Sequence, residues 1–317
     1  FTDDPKITAA LARAFMRAGD FGSALVKLRG GGPSPLVART IFKMLMRHGH
    51  LDEASALEAK VAGHYPSDPD LLELRALRVR QKPECLLELA EDVLAEDAGN
   101  AHALYYKAVA LAQLGRRSQA CELMDLDRLV RVETLSVPPD FKTPRTFFSE
   151  LANEILGNAT LHSDRAGHAT RKGLRTAIFP ASDDHAAVEL LDRICRQVEL
   201  YSGDCADHPF VAGRPAEARF TAWALVFRGG GHQRVHNHPG SWLTGVYYVR
   251  TPGGTGGPGT LRIGVLPEWA GDPPWPVLEI SPEPGRLVMF PSFVPHDTVP
   301  TGQDQERISV AFDVADA

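Results

Sequence analysis

Residues 231–249, GHQRVHNHPGSWLTGVYYV, decide how the rest of the chain is read. They set His236 and His238 two positions apart, follow them with Pro239-Gly240, and then run into 243–249, rich in the aromatic and β-branched residues that suit a strand. Side chains two apart in an extended segment share a face, so both imidazoles can look into one interior. Working outward, a lone His296 stands in PSFVPHDTVP behind Pro291 and Pro295, and Arg307 follows in RISVAFDV.

The texture around this stretch is that of a β domain. Short runs at 219–227, 243–250, 260–265, 277–280, 286–290 and 308–314 are separated by Gly and Pro clusters, the most extreme being TPGGTGGPG at 251–259. Short strands with turn signals between them predict a barrel or jelly roll. Ahead of them, 144–157 and 184–201 carry helical periodicity, and the second is amphipathic enough to lie against a sheet as a support helix.

The first half reads differently. From residue 7 to 130 apolar residues recur at helical spacing, and a small motif repeats: Gly19 then Ala24, Gly49 then Ala54, Gly115 then Ala120. The interval is close to the ~34 residues of a tetratricopeptide repeat, with Gly in the turn between paired helices. The likeness is best in NAHALYYKAVALAQLGRRSQACELM at 100–124; the repeat around Lys82-Pro83 lacks its Gly, and Gly30-Gly31-Gly32 is an unusual linker. Three to four degenerate repeats are expected, stacked into a solenoid whose concave face suits a peptide, or else a scaffold or dimer contact. His48, His50, His64 and His102 are expected at surfaces or turns. Pro138-Pro139 within 132–142 marks the boundary, giving a helical domain at 1–135 and a β domain with its support helices at 136–317.

Bulk properties narrow the partners. Thirty-four basic and 40 acidic residues leave a formal charge of −6 with no block of like sign, which disfavours nucleic acid or an anionic membrane as partner. Cys85, Cys121, Cys195 and Cys205 show neither pairing nor metal spacing and read as reduced thiols. No apolar run approaches the ~18 residues of a membrane span, and FTDDPKITAALARAF does not read as a leader. A cytoplasmic protein is expected.

Two near histidines and one distant one make a facial ligand set that leaves metal positions open. Arg307 and Ser309 share a face of the last strand, and a planar guanidinium beside a hydroxyl suits capture of a carboxylate inside an apolar barrel. Three readings follow: a metal enzyme with a carboxylate cosubstrate, a cupin-type metal enzyme without one, or a non-catalytic peptide-binding repeat protein. The cupin spacing is good from Gly230 to His238 and from Gly285 to His296. The Glu that cupins add after the His pair is absent, however, its positions holding Trp242 and Leu243.

With His236, His296 and Arg307-Ile308-Ser309 in view, the chain resembles the 2-oxoglutarate- and Fe(II)-dependent oxygenases, whose double-stranded β-helix carries a His-x-Asp/Glu pair, a distal His and a distal Arg. The likeness covers 219–314. It particularly resembles a bacterial and phage subgroup of uncharacterised members and is more loosely similar to the aspartyl/asparaginyl β-hydroxylases. The resemblance implies Fe(II) and O2 as cofactors and 2-oxoglutarate as cosubstrate, anchored by Arg307 and Ser309. It further implies succinate and CO2 as coproducts, and hydroxylation of a C–H bond in a peptide or protein, such as the β-carbon of Asp or Asn. No catalytic side chain beyond the metal ligands is implied. The departure is at position 238, where His stands in place of the acid. Either His238 ligates, giving a three-His site, or His236 and His296 bind alone with water in the third place.

Overall fold

A computed structural model describes residues 5–17, 20–30, 34–65, 69–163, 169–181, 184–201, 207–252 and 257–317. Gly19, Gly31, Gly32, Cys205 and residues 253–256 of the Gly-rich turn lie outside the described residues. The described residues before Lys82 form one compact unit and those from Lys82 onward another.

The first unit is helical: α1 (Pro5–Arg17), α2 (Phe21–Arg29), α3 (Pro35–Arg47), α4 (Leu51–Ser55), α5 (Glu58–Ala62) and α6 (Pro69–Val79). Local chemistry sets the ends. The Asp20 carboxylate accepts from Ser23 N at 2.9 Å at the start of α2, and Pro35 occupies the first turn of α3, where a missing N–H costs nothing. Gly49, at φ +76°, ends the α3 segment in the left-handed conformation that only Gly adopts without strain. Phe42, Leu45, Ala54, Val61, Leu71 and Leu74 form the core.

The second unit opens with α7 (Pro83–Glu96), α8 (Ala101–Gln113), α9 (Arg117–Met124) and α10 (Leu126–Leu129). His102, expected at a surface, is instead buried in α8, its ring 4.9 Å from that of Tyr106. The reason is that α7 and α9 cover α8 from two sides, so polar positions near its start are enclosed with the apolar ones. The segment 132–142, read as marking the domain boundary, opens inside strand β1 (Arg131–Thr134), which pairs with the sheet.

Then follow α11 (Pro144–Gly157), β2 (His162–Ser163), β3 (Thr170–Arg175), α12 (His185–Leu200), β4 (Ala218–Gln233), β5 (Leu243–Arg250), β6 (Leu261–Ile263), β7 (Leu278–Ile280), β8 (Arg286–Pro291), β9 (His296–Thr298) and β10 (Glu306–Asp316). The strands make two antiparallel sheets, β1-β8-β5-β10-β4-β3-β2 and β7-β6-β9, the layered arrangement of a jelly roll. Helix α11 packs on β5, and α12 packs on α11. Glu154 of α11 accepts from Ala186 N and Ala187 N, both at 2.8 Å, and so caps the free N–H groups that open α12. No helix among the described residues is long and apolar enough to cross a membrane.

Strand β10 occupies the middle of the larger sheet, paired along its length with β4 and β5. Its alternate residues Arg307, Ser309, Ala311 and Asp313 share one face. Strand β4 bends after Arg228, where Gly229 and Gly230 take φ +53° and +84°. There its pairing with β3 slips from Gly173–Phe227 to Arg171–His232, which turns the end of β4 and carries the chain toward His236.

Candidate functional site

His236 and His238 do not sit in a continuous ladder. His236 exchanges both backbone hydrogen bonds with His296, at 3.0 and 2.9 Å, as an isolated bridge, and His238 N donates to Ser292 O at 2.9 Å. A turn closes behind them, Ser241 N donating to His238 O at 3.0 Å, as Pro239-Gly240 dictates. Trp242 then anchors the exit: its indole N–H donates to Phe210 O at 3.1 Å, and its ring packs among Tyr201 and Phe210.

These pairings bring together the three histidines singled out in the sequence. Ring centroids lie 5.1 Å apart for His236–His238, 4.3 Å for His236–His296 and 5.2 Å for His238–His296. One ligand atom from each lies within 4.8 Å of the others.

The tautomers follow from the partners. Nδ1 of His236 is 2.8 Å from Arg234 O and Nδ1 of His296 is 3.2 Å from Val294 O. A carbonyl only accepts, so each Nδ1 carries the proton, and in a neutral ring Nε2 keeps its lone pair. Neutral they are: burial, then the neighbouring His238, pushes His236 down to about 3, and burial with His236 and His238 alongside holds His296 well below its usual value. Nδ1 of His238 instead faces a carboxylate, Asp313, at 3.1 Å from Oδ2 and 3.0 Å from Oδ1. Three imidazoles with free Nε2 atoms, each ring held from behind, fit a divalent transition metal.

Next to the cluster lies a cavity lined by His238 and His296, by Arg307 and Ser309, and by Trp223, Leu225 and Phe290. Arg307 is 2% exposed. Its Nη1 donates to Gly259 O at 2.8 Å, Nη2 reaches Thr298 Oγ1 at 3.5 Å, and its guanidinium lies 4.4 Å from the Phe227 ring centroid. None of these partners is anionic. Burying an ion without a counter-charge costs on the order of several kcal/mol, whereas a desolvated cation–π contact returns about 2 kcal/mol. The guanidinium is therefore under-compensated, and burial pushes its pKa down. Two polar atoms here have no partner, Arg307 Nε and Ser309 Oγ. An unpaired donor on a buried cation beside an unpaired hydroxyl fits the carboxylate of a bound dicarboxylate. Tyr248 lines the same cavity, and burial pushes its phenol up to about 12, so its hydroxyl stays protonated as a donor.

Asp297, next to His296, points away from the cluster and pairs with Arg262 on β6. Four residues of the site were missed in the sequence: Asp313, Thr298, Phe227 and Gly259. Asp313 was within reach, since it continues the face of 307 and 309 by two further steps of the strand period. Gly259 has no such signal; its carbonyl serves Arg307 because φ +84° turns the loop back.

Residues 221–313 match a family described as "Putative 2OG-Fe(II) oxygenase". No curated protein sequence matches the chain. Solved structures with a similar layout include a prolyl-4-hydroxylase from Pseudomonas putida, at 20% identity and TM-score 0.45, spanning 61% of this chain and 96% of that one. A prolyl hydroxylase from Trichoplax adhaerens, in complex with a hypoxia inducible factor oxygen degradation domain peptide fragment, has 15% identity and TM-score 0.43 over 64% of this chain and 92% of that one. HygX from Streptomyces hygroscopicus, with nickel, 2-oxoglutarate and hygromycin B bound, has 15% identity and TM-score 0.41 over 62% and 86%. The family match spans every residue of the cluster and of the cavity's polar end, so the whole candidate site lies within the stretch that is similar to the 2OG-Fe(II) oxygenases.

Proposed function

We propose that His236, His238 and His296 hold the Fe(II) of this oxygenase through Nε2, and that Arg307 with Ser309 anchors the far carboxylate of 2-oxoglutarate. One observation carries the reading: three imidazoles each bring a ligand atom within 4.8 Å of the others, while the buried cation lining the same cavity keeps Nε unpaired. Fe(II) with 2-oxoglutarate and O2 supplies the oxidising power, with succinate and CO2 as coproducts. The chain's own residues orient and exclude. Arg307 fixes one end of the cosubstrate by charge, Ser309 adds a hydroxyl donor, and Trp223, Leu225 and Phe290 keep the cavity dry, where such contacts are strongest.

The substrate we propose is a C–H bond in a peptide or protein, with the β-carbon of Asp or Asn as first candidate and a tetratricopeptide-like N-terminal part as the element that holds it. What supports this is the recurring Gly–Ala motif of the helical half, whose Ala24, Ala54 and Ala120 are fully buried. Screening a peptide library for gain of one oxygen atom tests the substrate.

The site is tested separately. Adding 2-oxoglutarate anaerobically to the Fe(II) form should give a metal-to-ligand absorption band, absent in Arg307→Ala, and His296→Ala should abolish substrate-coupled succinate formation. Full turnover in Arg307→Ala with unchanged 2-oxoglutarate dependence would sink the anchor assignment and favour a cupin-type enzyme.

A further inference from the structure

Among the described residues, no Lys or Arg forms an ion pair with Asp313. Its described partner is His238 Nδ1, at 3.1 and 3.0 Å from the two oxygens, and Oδ1 is a buried atom with no hydrogen bond of its own. It sits near the end of β10, opposite Thr221 on β4 and Thr244 on β5, neither of which brings a positive charge. A neutral amide could receive the same N–H, so the hydrogen bond alone does not call for a carboxylate there.

The positive partner is to be found on the far side of the imidazole. We infer that Asp313 is the charge-compensating and positioning residue of the metal site, an inference that rests on the reading of His238 as a ligand. Through the ring it supplies the negative charge that a direct carboxylate ligand supplies in the pattern this sequence departs from at position 238. The charges of the buried centre support this. A divalent iron and Arg307 bring three positive charges; 2-oxoglutarate brings two negative ones, and Asp313 brings the third. Without Asp313 the enclosed centre would be left one charge positive. The same hydrogen bond fixes the tautomer of His238, keeping Nδ1 protonated and Nε2 turned to its two neighbours. His236 and His296 rely on backbone carbonyls for that orientation, which give direction but no net charge.

The test uses the full chain stripped of metal and Co(II) as a redox-stable probe, read by competition with a chelating dye and by the visible bands of the bound ion. Asp313→Asn keeps size and an acceptor for Nδ1–H but removes the charge. It should weaken Co(II) binding by about 10- to 100-fold and shift the Co(II) bands. His238→Ala is the control. If His238→Ala loses Co(II) while Asp313→Asn binds it within about twofold of the parent with unshifted bands, the role of Asp313 is overturned and the three-His reading stands. If His238→Ala binds Co(II) as tightly as the parent, the ligand reading itself fails and the inference goes with it. Should Asp313→Asn fail to fold, Asp313→Glu decides: the displaced carboxylate moves the bands if it acts through the ring and leaves them fixed if it does not.

Discussion

The guanidinium of Arg307 lies over the ring of Phe227, 4.4 Å from its centroid, and the two residues are direct cross-strand partners on β10 and β4. The aromatic face accepts a planar cation, and Nε is left buried without a hydrogen-bond partner. Arg307→Met should therefore stabilise the fold, by about 1–4 kcal/mol if the general cost of under-compensated buried ions applies, while eliminating 2-oxoglutarate binding. Thermal melts paired with cosubstrate titration check both halves. A destabilised Arg307→Met would mean that the cation is structural.

Ser309 separates the same two effects more gently. Its Oγ is buried without a partner, so Ser309→Ala removes an unsatisfied group and should leave urea stability unchanged or slightly raised. Loss of a hydrogen bond to a charged carboxylate should raise the KM for 2-oxoglutarate about 10-fold, with kcat much less affected.

Glu73, on α6 of the first unit, gives a pH dependence of its own. Burial, with Asp70 nearby, pushes it up to about 7 from 4.5. The folded state thus holds this proton more tightly than the unfolded state does. Its contribution is complete below pH ~4.5 and is lost as pH rises through ~7, a difference on the order of 3 kcal/mol for a shift of this size. Urea unfolding of the full chain followed from pH 5 to 8.5 should show the helical unit weakening upward, and Glu73→Gln should flatten that slope. An unchanged slope in Glu73→Gln would place the titrating group elsewhere.

Gly245 tests the packing between β5 and its neighbours. A Cβ there would run into the Phe312 ring and come within 2.7 Å of Val288 O. Gly245→Ala should cost about 1–3 kcal/mol by overpacking, seen as a lower urea midpoint with the three clustered histidines untouched. A midpoint equal to the parent's would show that β10 yields at Phe312.

Much of the site was readable because strand periodicity is a strict code. Once 307 was assigned to the last strand, 309 had to share its face, and β5 was placed at 243–250, where the structure has it. The helix at 144–157 was equally plain, opening at Thr143 with Pro144 in its first turn. What escaped was whatever lacked an apolar alternation. Strand β1 reads RVET, an edge strand with exposed side chains, and β3 reads TRKGLR and contains Lys172 at φ +50°. These strands form because neighbours offer hydrogen bonds, not because their own side chains seek burial. The pairing of His236 with His296 is of the same kind: the two lie sixty residues apart and meet through one bridge.

Strand β10 fills the gap between β4 and β5, yet both of those are synthesised well before it. Until it arrives, each exposes a long unpaired backbone edge and an uncovered apolar face, and the polar end of the cavity does not exist, because Arg307, Ser309 and Asp313 all arrive on that strand. Closing the sheet therefore waits on pairings distant in sequence, whose entropy must be met before they reward the chain. Iron and cosubstrate should meet a competent centre only after residue 316 has cleared the ribosome, and a chain interrupted short of β10 would present two sticky edges to the cell rather than a weaker enzyme.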